Sequence, residues 1–88
     1  MHQLIVKYPY IGNDYTEYIE MIVGRKCVTD TIIWNEEDDS RTCCMTFEFE
    51  KVVNSNIARN YMKRAISSAA VPLGTTVRLQ YEPAGSIA

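Results

Sequence analysis

Hydrophobic and polar positions change their period repeatedly along this chain, and each change marks a new element. Leu4, Val6 and Tyr8 alternate with Gln3, Ile5 and Lys7, a period of two that predicts a strand with one buried face. Pro9 ends it. Positions 8–14 carry the Pro, Gly, Asn and Asp of a loop, with Asn13 or Asp14 placed to cap a helix. Tyr15, Tyr18, Ile19, Ile22 and Val23 then recur at steps of three and four, the stripe of an amphipathic helix. Glu17 lies in its first turn, where negative charge is favoured, and Gly24 with Arg25 and Lys26 marks its end.

The segment 27–35 is rich in β-branched residues and nearly closes on Trp34, which predicts a second strand. The run Asn35-Glu36-Glu37-Asp38-Asp39-Ser40 reads as a polar turn. From Arg41 to Glu50 the alternation is strict: Cys43, Met45, Phe47 and Phe49 fall on the inward face, and Cys44, Thr46, Glu48 and Glu50 on the other. The two runs form a β-hairpin with an acidic tip. Asn54, Ser55 and Asn56 offer caps for a second helix, whose stripe is Ile57, Ala58, Tyr61, Met62, Ala65, Ile66 and Ala69. The alanines let that helix lie close to a sheet. Val71-Pro72-Leu73-Gly74 closes it, and Val77, Leu79 and Tyr81 alternate in a last strand over 75–81.

Strand, helix, strand, strand, helix, strand is the element order of a ferredoxin-like βαββαβ sandwich, an α+β fold in which two helices cover one face of a four-stranded antiparallel sheet. The right-handed crossover rule leaves few other layouts. Neighbouring helices would set Glu17 and Glu20 against Arg59 and Lys63, a surface pairing worth about 0–1 kcal/mol for each pair. The expected organisation is a single domain over 1–83 with a flexible tail over 84–88. A chain of 88 residues buries only about 60–65 % of its unfolded surface, so oligomerisation is a natural supplement to its stability. The open sheet face mixes Ile5, Thr31, Ile33, Cys44 and Thr46 with Lys7, Glu48 and Arg78, a surface suited to a homodimer. Among the tyrosines, Tyr8, Tyr18, Tyr61 and Tyr81 are expected to fill the core.

Composition changes this picture little, whereas charge placement changes it more. Nine Lys and Arg face eleven Asp and Glu, for a formal charge of −2, which gives no electrostatic pull toward nucleic acid. The acid is concentrated before residue 54. Beyond it Arg59, Lys63, Arg64 and Arg78 face only Glu82. Cys27, Cys43 and Cys44 are an odd set with two adjacent members, unsuited to a disulfide framework; a reducing, cytoplasmic setting is expected. Their spacing with His2, the sole histidine, matches no common zinc pattern. Neither a secretory leader nor an apolar run long enough to span a membrane is recognisable.

Catalytic chemistry finds little footing. The only clustered carboxylates, Glu36, Glu37, Asp38 and Asp39, sit at a solvated turn, and nucleophilic catalysis by Cys or Ser has only His2 as a base. No phosphate-cradling glycine loop or cofactor signature occurs. RNA-recognition modules and acylphosphatases share the expected topology, but this chain lacks the features of both. The segment from Arg41 to Thr46 has neither the glycine nor the aromatics of an RNA platform, and the loop over 9–13 has no arginine. Fold alone assigns no activity.

The remaining expectation is a small, non-catalytic protein-binding module, an inhibitor or regulator that occludes a partner's surface. Interface centres favour aromatic residues, which singles out Tyr10, Tyr15 and Trp34 together with the acidic Glu36, Glu37, Asp38, Asp39, Glu48 and Glu50. One form of this reading is a phage or mobile-element protein that blocks a host nucleic-acid enzyme by placing carboxylates where phosphates would bind. The alternative is a nucleic-acid-binding domain that uses Arg59, Lys63, Arg64 and Arg78.

Overall fold

The computed structural model describes residues 1–81; the tail expected over 84–88, and the last two residues of the expected domain, lie outside them. The elements are β1 (His2–Pro9), α1 (Thr16–Val23), β2 (Thr29–Asn35), β3 (Ser40–Phe49), α2 (Val52–Ser67) and β4 (Thr76–Tyr81). The four strands form one antiparallel sheet in the order β2-β3-β1-β4, so β1 and β3 are central and β2 and β4 are edges. With its two helices this is an α+β fold.

Register builds the core. Leu4, Val6 and Tyr8 stand opposite Phe47, Met45 and Cys43 across β1 and β3, while Leu4 and Val6 also face Leu79 and Val77 across β1 and β4. Onto this face pack Ile19 and Val23 from α1 and Ala58, Met62 and Ala65 from α2. The strict alternation of β3 therefore places Cys43 under the helices and Cys44 on the opposite face, where Cys44 is half-buried. Ile5 is also on that open face, yet it is only 9 % exposed; it lies between Thr46 and Arg78 in the register.

The helix ends depart from expectation in instructive ways. Asp14 accepts the Thr16 N–H at 2.8 Å, and Gly24 ends α1 with φ of 90°, its N–H reaching the Glu20 carbonyl at 2.8 Å. That left-handed conformation is one a glycine adopts without strain. Helix α2 starts at Val52, so Asn54, Ser55 and Asn56 lie inside it and do not cap it. Ser55 is fully buried, its hydroxyl donating to the Val52 carbonyl at 2.7 Å. At the far end Ala69 takes φ of 60°.

Three of the tyrosines expected in the core are exposed: Tyr18, Tyr61 and Tyr81. Met62 and the alanines occupy the buried line of α2 and turn Tyr61 outward, while Tyr81, at the sheet edge, rests its ring 4.7 Å from that of His2. The expected pairing between the helices is also replaced. Glu20 accepts the Cys27 N–H at 2.9 Å, and no ion pair joins α1 to α2 among the described residues. No described helix is long and apolar enough to cross a membrane.

Candidate functional site

All seven residues of β2 are exposed, although the strand is fully paired with β3 from Thr29↔Thr46 to Asn35↔Ser40. Asp30, Ile32 and Trp34 stand opposite Met45, Cys43 and Arg41, on the face that the helices cover elsewhere. The buried cluster draws on β1, β3, α1 and α2 and takes nothing from β2. Consequently Ile32 is 52 % and Trp34 55 % exposed on one face, and Ile33 51 % on the other. Among the described residues the outer edge is open as well, since β2 ends the sheet.

The hairpin tip is built by its own acids and amides. Asn35 Oδ1 accepts the Glu37 N–H and Asp38 Oδ1 accepts the Ser40 N–H, both at 3.0 Å. Asp39 adopts φ of 56°, and its carboxylate takes the Trp34 Nε1–H at 2.8 Å. The Ser40 hydroxyl and N–H hold the Asp38 carboxyl below its ordinary range. Asp38 and Asp39 thus shape the turn and orient the indole. The carboxylates of Glu36 and Glu37 have no such structural use and face water.

The loop after β1 closes the other side of the site. Tyr10 donates its N–H to the Arg41 carbonyl at 2.9 Å, and its half-buried ring lies between two open clefts. One, of about 310 Å³, has Tyr8 and Cys43 at its floor and Asp30 and Ile32 along its wall. The second, of about 370 Å³, runs from Tyr10 to Asp39 and Arg41 at the tip. Behind Tyr10, the Tyr8 hydroxyl receives the Tyr15 N–H at 3.2 Å and lies 3.2 Å from Thr16 Oγ1 and 3.4 Å from Asp14 Oδ1. Burial, reinforced by the Cys43 thiol, pushes that hydroxyl up to about 12, so it stays neutral. Burial and then the Glu20 carboxylate push the Cys27 thiol up to about 11, which keeps it from being a thiolate nucleophile at neutral pH. No group of three or more His, Cys, Asp or Glu able to hold a metal occurs among the described residues.

The structure brings some of the expected residues together and separates others. Tyr10 and Trp34 flank the same hairpin, with Glu36, Glu37, Asp38 and Asp39 at its tip. Tyr15 belongs to the interior wall: its ring meets Tyr8 at 5.9 Å and Tyr18 at 6.4 Å, both edge-on. Glu48 is half-buried on the open sheet face and Glu50 is exposed beyond the end of β3, away from the tip. Of the basic set, Arg59, Lys63 and Arg64 ride on α2, whereas Arg78 pairs with Ile5 on the opposite face of the sheet and bonds Gln80 at 3.0 Å. Sequence reasoning missed Ile32 and Asp30. An acid on the inward face between two apolar residues is the signal that this face meets water.

Comparison with known proteins brings no relative: the chain matches no family model, no curated protein and no solved structure.

Proposed function

We propose that the chain is a ferredoxin-like split βαβ domain, with β1 and β3 at its centre, that works as a non-catalytic protein-binding module. It acts as an inhibitor or regulator by laying β2 and the hairpin tip against a partner and occluding that partner's surface. The observation that carries this reading is the exposure of β2 along its whole length, with Ile32, Ile33 and Trp34 open to water and its outer edge unpaired. An edge strand with free N–H and C=O groups is a template for another strand, and natural domains normally blunt such an edge. Trp34 is a large apolar group already held by Asp39, so it loses little freedom on docking. Glu36 and Glu37 add negative charge at one end of the strand and favour a partner with a basic flank.

Tagged protein expressed in its native host tests this. The wild type should capture a protein that is lost with Ile32→Lys or Trp34→Ala and retained with Tyr61→Ala, a substitution on the far side of α2. Capture that is the same for all four proteins would overturn the reading. So would recovery of nucleic acid that depends on Lys63 and Arg64.

A further inference from the structure

We infer that a second copy of this chain occupies the β2 edge, the two β2 strands pairing antiparallel about a two-fold axis through Ile32. This rests on the reading of β2 as a docking edge and names its occupant. A two-fold axis perpendicular to the sheet joins two edge strands with their helix sides on the same side, an isologous contact. Centring on Ile32 overlaps all seven residues of β2, with Thr29 opposite the partner's Asn35, Asp30 opposite the partner's Trp34, and Ile32 opposite its own copy. The exposed Ile32 and Trp34 of both chains then form one stripe along the helix side, with each Trp34 across from the partner's Asp30. A slip by one residue would turn that stripe to the wrong face.

Charge selects the same register. Just before β2 stand Arg25 and Lys26, and just after it Glu36, Glu37, Asp38 and Asp39. Because the pairing is antiparallel, the basic lead-in of each chain lies at the same end of the shared ladder as the acidic tip of the other, where the Glu36 and Glu37 carboxylates take no part in the turn. The Arg25 guanidinium is turned onto its own β3, 4.1 Å above the Phe49 ring and bonded to the Glu48 carbonyl, which leaves the exposed Lys26 to meet the partner's tip. Shifting the centre to Ile33 would shorten the overlap and set Asp30 against the partner's Glu36, like charge against like charge. A single strand pair buries less than the standard interface of about 1,600 Å², so association is expected to be weak and concentration-dependent.

Sedimentation of the full chain across micromolar to millimolar concentrations tests this. The wild type should pass from monomer to dimer, more weakly at high salt. Ile32→Lys should abolish the dimer. Lys26→Glu should weaken it by about tenfold or more, and adding Glu37→Lys to Lys26→Glu should restore it, since the Glu37 carboxylate takes no part in the turn. All the replaced side chains are exposed, and an unchanged denaturation midpoint checks that each variant folds. A wild type that stays monomeric throughout, or a dimer indifferent to both Ile32→Lys and Lys26→Glu, overturns the inference. A monomeric wild type whose host partner is still lost with Ile32→Lys overturns self-pairing alone; capture indifferent to Ile32→Lys removes the edge reading beneath it.

Discussion

Strands β2 and β3 pair residue for residue and have opposite fates. In β3, Cys43, Met45, Phe47 and Phe49 are buried at every second position; in β2, Ile32 and Trp34 occupy the same face and remain half in water. Both carry apolar residues in that alternation, and both satisfy their shared backbone bonds. The difference is what lies above them. Hydrogen bonding fixes a strand's place in the sheet, while helix coverage decides whether its side chains stabilise the fold or stay available for a partner.

The contrast can be broken most directly by truncation. Phe47→Ala, at a position with no exposed surface, should cost about 3–5 kcal/mol. That is a large share of the roughly 5–10 kcal/mol expected for a domain of this size. Ile32→Ala should cost less than about 1 kcal/mol. Urea denaturation of both variants measures the pair, and similar losses would mean that β2 is as integral to the core as β3.

Tyr8 marks the border between the two regions and sharpens the comparison through pH. Its pKa is raised from 10.0 to about 12 on folding, so the neutral hydroxyl is favoured in the native state. The resulting stabilisation is complete below pH 10 and is lost as pH climbs through the folded value; two units correspond to about 2–3 kcal/mol. Cys27, raised from 9.0 to about 11, acts in the same direction in a slightly lower window. Stability measured by denaturant should therefore decline from pH 9 toward pH 12. Tyr8→Phe should flatten the upper part of that decline while costing about 1 kcal/mol at neutral pH, through the lost acceptor for the Tyr15 N–H.

The smallest effect expected is on the covered side, at the end of α2. Ala69 holds φ of 60° while its N–H reaches the Ile66 carbonyl at 3.2 Å, a left-handed position that disfavours a Cβ. Ala69→Gly should raise stability by about 1 kcal/mol, seen as a higher urea midpoint at unchanged slope. A loss instead would show that the added chain freedom of glycine outweighs the relieved strain.

Much of the fold was legible in the sequence because the decisive signal is local. The alternation from Cys43 to Phe49 and the helical spacing of Ile19, Val23, Ala58, Met62 and Ala65 identify strand, helices and buried faces together. Coverage is not local. Between Thr29 and Asn35 only Asp30, on the inward face, signals that the helices stop short of β2, and the alternation by itself does not show that Ile32 is exposed. The tyrosines misled for a related reason. Tyr18, Tyr61 and Tyr81 sit next to or on apolar stripes, but smaller residues fill the space and leave the rings at the rim. Of the candidate site, Tyr10, Trp34 and the acidic tip were legible from composition and loop position. The division of labour within the tip, with Asp38 and Asp39 building the turn and Glu36 and Glu37 left free, depends on hydrogen bonds that only the folded hairpin defines.

The adjacent Cys43 and Cys44 give the molecule two built-in reporters separated by the thickness of a single sheet. Cys44 is half-buried on the side without helices, whereas Cys43 lies beneath them. A thiol reagent meets Cys44 on the side without helices, whereas it reaches Cys43 only through the cleft between Tyr10 and Ile32. The ratio of the two rates therefore reports how far that cleft admits a small molecule, written into neighbouring positions of the chain.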